Sequence, residues 1–381
     1  MDDWKNGGFG IYIHWPFCQA KCPYCDFNSH VSAHVDHNLW RKRLSEDIRY
    51  QAGRVGNRRV ESVFFGGGTP SLMEPATVEI CLDTIADVFE LNAEAEVTLE
   101  ANPTSVEAEK FEGFVHAGVN RVSIGVQALN DTDLKRLGRL HSVSEAIKAI
   151  DLARQYFKRM SFDLIYARQD QSLADWTKEL KTAIALAADH LSLYQLTIED
   201  GTAFGALQTA GKLKGLPKDD LSSDLYEATQ WICEDAGLPG YEISNHARTG
   251  SESHHNLIYW NYGDYLGVGP GAHGRLTIDG DRIATEARVL PKDWLAAKVN
   301  EAVKDAELLT RENQVTEFLL MGLRLDRGVA QKRLAEFGHS EVTRRVSKMV
   351  QSGKLLEERG YIKAPKERKI ILNQLLMEIL A

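Results

Sequence analysis

The stretch YIHWPFCQAKCPYCDFNSH, residues 12–30, decides how the chain is read. It sets three of the five cysteines, Cys18, Cys22 and Cys25, at CxxxCxxC spacing, and no fourth thiol follows nearby. Metal sites built only from protein ligands usually close with four. Three thiolates suit a different arrangement, in which they hold three irons of a 4Fe–4S cube and leave the fourth iron open. An open coordination position is what separates a reactive metal site from a structural one. Pro23 disfavours a continuous helix through the motif, which puts the cysteines on a loop. Trp15, Phe17, Tyr24 and Phe27 offer apolar cover around them. The alternatives are chance clustering, or a Cys3His zinc site completed by His14 or His30. Zinc sites usually pair one CxxC with a second pair further along, and this sequence has none. Cys81 and Cys233 fall in helical patterns and read as buried apolar fillers.

The chain has 381 residues, 43% of them hydrophobic and 26% charged, which is ordinary for a globular protein with a sizeable core. Its opening, MDDWKNGGFG, lacks the apolar stretch of a secretory signal. No apolar run approaches the roughly 18 residues of a spanning helix. Five cysteines with three clustered do not form a disulfide framework. The expectation is a cytoplasmic protein in a reducing compartment. A net charge of −9 argues against nucleic acid as the main partner. From Arg288 onward, however, 18 Lys and Arg stand against 13 Asp and Glu. That basic tail is compatible with an anionic surface, peripheral membrane contact included, but reads first as a solvated helical face.

Strand and helix patterns alternate through the first half. Strands are expected at 9–15, 60–65, 96–102, 121–127, 160–166 and 190–196. Between them come helices at 38–53, 75–90, 105–117, 130–137, 142–156 and 172–187, with another at 219–236. About six βα units in succession specify an α/β fold with a parallel sheet and helices outside it. Closure into a barrel is not readable from periodicity. Residues 240–285, rich in Gly, Asn, His and Tyr, lose the rhythm and read as a functional loop region. Helical patterns return at 291–306, 311–322, 327–337 and 340–352, and residues 353–365 read as a two-stranded wing before a last helix. The expected division is therefore 1–275 and a mainly helical, winged-helix-like domain over 290–381.

Polar residues collect at the C-terminal ends of the strands, where α/β active sites lie. FFGGGTPS, residues 64–71, ends the second strand with three glycines, which permit close backbone approach. By itself such a turn serves equally as a phosphate cradle, a tight turn or a seat for an ammonium group. Glu100, Gln127 and Asp163 fall on the same edge, as ligand-binding groups or as caps for the next helix. Arg139 can pair a carboxylate through its planar fork, or lie on the surface.

CxxxCxxC after the first strand of a βα array resembles the radical S-adenosylmethionine (radical SAM) superfamily. The resemblance implies a partial (βα)6 barrel, with SAM chelating the open iron and the cluster supplying the electron that breaks the sulfonium bond. The run YIHWPFC…C.YC, GGGTPS, LEANP, GVQALND..L..LGR.H and FDLIY, in this order, resembles the oxygen-independent coproporphyrinogen III oxidase subfamily from residue 9 to about 275. Carried over position by position, it implies that Tyr12, Gly67 and Glu100 meet the cluster-bound SAM, with Tyr24 beside the cluster. It further implies that Gly68, Thr69, Gln127, Arg139 and Asp163 line the site of a second SAM.

Two departures redirect the function. The decarboxylating enzymes carry a further cysteine two residues after the third, where this chain has Phe27. The form CDFNSH is instead similar to the heme chaperone branch, of HemW type. HHNLIYW, residues 254–260, holds the HNxxYW pattern associated with that branch. The resemblance implies heme as cargo, a heme donor, and acceptor hemoproteins such as respiratory cytochromes. Heme iron takes His, Tyr, Met or Cys, so His255, Tyr259 and His273 are the candidate ligands, and His273 and Arg275 are placed to meet iron or propionate. The alternative for His255 is a structural network bracing the sheet. The alternative function is oxidative decarboxylation of coproporphyrinogen III. After FDLIY the chain reads ARQDQS where relatives usually show a Gly-Leu-Pro-Gly turn, so the turn after the fifth strand is expected to differ.

Overall fold

The computed structural model describes residues 3–32 and 34–381. Six strands lie side by side in parallel in chain order: β1 (Phe9–Trp15), β2 (Arg59–Gly67), β3 (Glu90–Ala101), β4 (Arg121–Gln127), β5 (Arg159–Tyr166) and β6 (His190–Gln195). Helices α1 (His37–Val55), α2 (Pro75–Val88), α3 (Val143–Tyr156), α4 (Leu173–Leu186) and α5 (Asp219–Asp235) occupy the connections and the segment after β6. Local chemistry marks their starts. Asp36 caps α1 by accepting from the Leu39 N–H, Pro75 opens α2, and Ser142 with Glu145 forms a reciprocal capping box on α3. The single helix expected at 105–117 is two short ones, Ser105–Ala108 and Phe111–His116. β1 is buried at six of its seven positions because both sheet faces are covered, which is why it reads as an unbroken apolar run.

The segment expected to be irregular is more regular than its composition suggests. β7 (Asn245–Ala247) pairs antiparallel to β6, and α6 (His254–Trp260) follows. β8 (Asp264–Val268) then returns to pair in parallel with the free edge of β1. β9 (His273–Ile278), β10 (Asp281–Ala287) and β11 (Val303–Leu308) continue as antiparallel strands, giving eleven strands in the order β11-β10-β9-β8-β1-β2-β3-β4-β5-β6-β7. Glycines between short strands hide this periodicity. No pairing joins the two outer strands among the described residues, so the sheet is an open partial barrel. The helix expected over 291–306 is only Pro291–Ala296, and its remainder enters β11. The boundary expected at 275 falls inside β9.

Beyond β11, α7 (Arg311–Gly322), the helix Gln331–Glu336 and α8 (Ser340–Gln351) pack with a three-stranded wing, Val329–Ala330, Leu356–Glu358 and Tyr361–Lys363, and the final helix Leu372–Leu380. This module has its own apolar core around Val315, Phe318, Leu319, Val346 and Leu376, separate from the core of the barrel. Arg168, the second residue after β5, is buried and pairs with Asp133 and Glu179, so the ARQDQS turn is held by ion pairs.

Charge is also buried at the start of β8. Asp264 is fully buried between Arg58 (2.6 Å) and Arg282 (2.9 Å), and it accepts from Thr277 on β9. This cluster joins the antiparallel extension to the barrel. Replacing Asp264→Ala strands two buried guanidinium groups and is expected to cost about 3–5 kcal/mol, read as a lowered denaturation midpoint; Asp264→Asn should cost less.

Candidate functional site

The cysteine loop leaves the C-terminal end of β1 and is held at both ends. Phe17–Cys18 pairs in parallel with His30–Val31. The Gly68 N–H donates to the Trp15 carbonyl (2.7 Å) and the Thr69 N–H to the Phe17 carbonyl (2.8 Å). A Cβ at Gly67 (φ 115°) would lie 2.6 Å from the His14 ring, and one at Gly68 would lie 2.7 Å from the Phe17 carbonyl oxygen. The glycines are thus required for backbone-to-loop contact, one of the roles left open by the sequence. Asn28 fastens the far side, donating to the Pro270 (3.0 Å) and Val289 (2.9 Å) carbonyls.

Each thiol has a hydrogen-bond partner from a different element. Thr69 Oγ1 donates to Cys18 Sγ (3.4 Å), Arg139 Nη1 donates to Cys22 Sγ (3.5 Å), and Ser29 Oγ lies 4.0 Å from Cys25 Sγ. Burial pushes the Cys18 and Cys25 thiols up. Arg139 also donates to Asn102 Oδ1 (2.5 Å) and the Gly125 carbonyl (2.7 Å), while its buried Nε has no partner among the described residues. His14 uses both ring nitrogens, towards Tyr12 OH (3.0 Å) and the Asn28 carbonyl (2.9 Å), and so is not free to complete a zinc site. Among the described residues no three His, Cys, Asp or Glu side chains gather closely enough for one metal ion. Three loop-borne thiols, each with a hydrogen-bonding neighbour, fit an iron–sulfur cluster, whose sulfurs take such hydrogen bonds.

A recess of about 160 Å³ opens over the loop. Every residue expected at the cluster or at SAM lines it except Tyr12. Tyr12 faces a neighbouring cavity instead, because its hydroxyl is turned to His14. Glu100 accepts from the Gly67 N–H (3.2 Å). Desolvation, and then the charge of Asp163, push Glu100 up to about 8; desolvation likewise raises Asp163 to about 6, against hydrogen bonds from Ser192 and Ser123. Gln127 sits at φ 72°, a strained conformation for a side-chain-bearing residue, and ends β4 at the recess. Two acids above their ordinary range, one guanidinium and glycine backbone suit a ligand with an ammonium and a carboxylate.

The neighbouring cavity, about 840 Å³, lies between the free edge of the barrel and α7. It falls within the volume range of cofactor-sized ligands. Tyr259, Trp260, Tyr262 and Tyr265 give it an aromatic wall, with Tyr259 and Tyr265 edge to face at 4.4 Å. Gly67, Glu100 and Phe27 line both this cavity and the recess.

The three candidate heme ligands separate here. His255 is buried, with Nδ1 bonded to Ser62 Oγ (2.7 Å) and Nε2 to Tyr259 OH (2.7 Å), and its ring stacks on Phe64 at 5.0 Å. Burial, then Arg121, push it down to about 3. His255 thus sits in the structural network that was the alternative for it, bracing β2 against α6. Tyr259 lines the cavity, but its hydroxyl is committed to His255 and burial holds its pKa well above the ordinary value. His273 is exposed in the cavity and has no ring hydrogen bond among the described residues. Sequence reasoning missed Ser29, Asn102, Met321 and Arg324, which lie at these two sites; spacing offered a cue only for Ser29, four residues after Cys25.

The folded chain keeps a proton on Glu100 that the unfolded chain releases above its ordinary value of 4.5. Stability of the ligand-free protein is therefore expected to fall as pH rises from about 4.5 towards 8. Glu100→Gln should flatten that part of the melting-temperature profile and raise the melting temperature at pH values above it.

The radical SAM superfamily profile matches residues 12–183. The mitochondrial radical S-adenosyl methionine domain-containing protein 1 of Mus musculus is 38% identical over 97% of this chain and 87% of its own length. The heme chaperone HemW of Escherichia coli is 37% identical over 97% of this chain and 98% of its own length, and that of Bacillus subtilis 36% identical over 86% and 87%. The solved coproporphyrinogen III oxidase (HemN) of Escherichia coli, described as a radical SAM enzyme, superposes with a TM-score of 0.81 at 20% identity, over 98% of this chain and 90% of that one, a likeness of fold. Among the described residues no helix is long and apolar enough to cross a membrane. The chain belongs to the radical SAM superfamily and, within it, to the family of the heme chaperone HemW and the mitochondrial radical S-adenosyl methionine domain-containing protein 1.

Proposed function

We propose that this chain is a heme chaperone that receives heme from a donor, holds it in the larger cavity and delivers it to hemoproteins such as respiratory cytochromes. Cys18, Cys22 and Cys25 hold a 4Fe–4S cluster, and the residues of the recess hold SAM against it. When bound, cluster and SAM supply one-electron chemistry. Thr69, Arg139 and Ser29 direct hydrogen bonds at the sulfurs; Glu100 and Asp163 present carboxyl groups; Phe27 excludes water from the mouth. The single observation that carries the cargo role is the aromatic-walled cavity of about 840 Å³ that shares Gly67, Glu100 and Phe27 with the recess. Phe27, at the position of the extra cysteine of the decarboxylating enzymes, stands 59% exposed where the two spaces meet. Buried free thiols at Cys81 and Cys233 suit work in a reducing compartment, and we place the protein in the cytoplasm.

The test is reconstitution without air using iron and sulfide, followed by SAM and ferric heme added separately. The expected outcome is a cluster spectrum perturbed by SAM and a Soret shift that saturates with heme. Replacing all three loop cysteines by alanine should abolish iron and sulfide uptake while preserving heme uptake, since none of them lines the larger cavity. A Soret band that never moves overturns the cargo role. Turnover of coproporphyrinogen III with reductant and SAM would make the chain a decarboxylating enzyme instead.

A further inference from the structure

The cavity is lined by His273 and Arg275 from the barrel extension and by Glu317, Leu320, Met321 and Arg324 from the C-terminal module. His273 and Arg275 are two apart on β9 and share a strand face. Arg275 forms a bidentate pair with Glu317 on α7, at 2.9 and 3.0 Å. Glu317, Met321 and Arg324 follow at helical spacing, and Leu323 keeps helical dihedrals past the end of α7, so the three share a face. The Arg275–Glu317 pair therefore sets the face bearing His273 opposite the face bearing Met321, and both line the cavity. Glu286 lies directly across from His273 on β10, where a carboxylate can take the second ring N–H of a ligating histidine. Two of its arginines are matched, Arg275 with Glu317 and Arg282 with Asp264. Asp26, Glu286 and Glu100 are its other acids. Arg324 has no carboxylate partner among the described residues; its Nε donates to the Leu320 carbonyl (3.2 Å), and its guanidinium lies 6.0 Å from the Trp260 ring centre.

Resting on the heme assignment above, we propose that Met321 is the iron ligand opposite His273 and that Arg324 pairs with a heme propionate. A thioether and an imidazole are an established axial pair for heme iron and raise its potential. A guanidinium that lacks a carboxylate partner among the described residues is the donor best suited to one. α7 thus supplies half of the cargo site, and the HNxxYW histidine only braces it.

Full-length protein is titrated with ferric heme and followed by optical absorption, electron paramagnetic resonance and redox potentiometry. The wild type is expected to give six-coordinate low-spin heme with the near-infrared band of a thioether–ferric bond. Met321→Leu should still take up heme but lose that band and become high-spin. Met321→His should restore low-spin heme at a lower midpoint potential, which separates lost ligation from lost folding. His273→Ala should lose the imidazole signature, and Arg324→Gln should weaken uptake about tenfold with the spin state unchanged. A Met321→Leu protein that binds heme with the wild-type spectrum overturns this inference and leaves the cargo role standing. A wild type with no Soret shift overturns both.

Discussion

The contact of backbone on backbone between the GGG turn and the cysteine loop is the constraint on which the site depends. The parallel register of β1 and β2 brings Trp15 beside Gly67. From there the Gly68 and Thr69 amides reach the loop carbonyls, and side chains at 67 or 68 would keep them from doing so. Once the loop lies against this strand end, Thr69 meets Cys18 and Asn102 joins it to Arg139, which reaches Cys22. Two of the three thiols are thereby tied to the ends of other βα units, Cys18 through Thr69 and Cys22 through Arg139, while Cys25 is held within its own loop by Ser29.

The interior of the barrel shows how much polar chemistry an apolar fold can carry. Tyr12, Phe64 and His255 form a stack that passes from β1 through β2 to α6, with Tyr12 and Phe64 at 6.2 Å. Beneath it, Arg121 pairs with the buried Glu96, and Ser161 and Ser123 hydrogen-bond at 3.0 Å. Such buried groups are stable only when partnered. The histidine of HNxxYW belongs to this accounting: with both nitrogens satisfied, it positions Tyr259 on the wall of the larger cavity without itself entering it.

The parallel half of the fold was legible because residues buried on both sheet faces leave continuous apolar runs between amphipathic helices. The cysteine loop, GGG turn, Glu100, Gln127, Arg139 and Asp163 were legible because strand ends in such folds converge on one edge. The antiparallel extension was not. β9 and β10 are hairpin partners rich in polar residues, and β11 is largely exposed, so neither burial nor alternation announces them. The side on which Tyr12 turns was not legible because sequence says which strand a residue is on, whereas its hydroxyl follows His14. The bonding of His255 was hidden for a related reason: a histidine in a distinctive pattern advertises ligation, and only the fold reveals Ser62 and Tyr259 on its two nitrogens. Arg324 and Met321 carry no local signal, since they become part of a cavity only when the C-terminal module docks.

That docking joins two bodies whose apolar interiors do not merge. Much of what spans the seam is ionic: Arg275 with Glu317, Arg333 with Asp3 and Lys366 with Glu234. The larger cavity lies along this seam. An aromatic contact accompanies these pairs, Tyr262 of the barrel extension packing on Phe318 and Phe337 of the module. The molecule thus resembles a clasp more than a vault: a few ion pairs and an aromatic rivet close the two bodies over what lies between them.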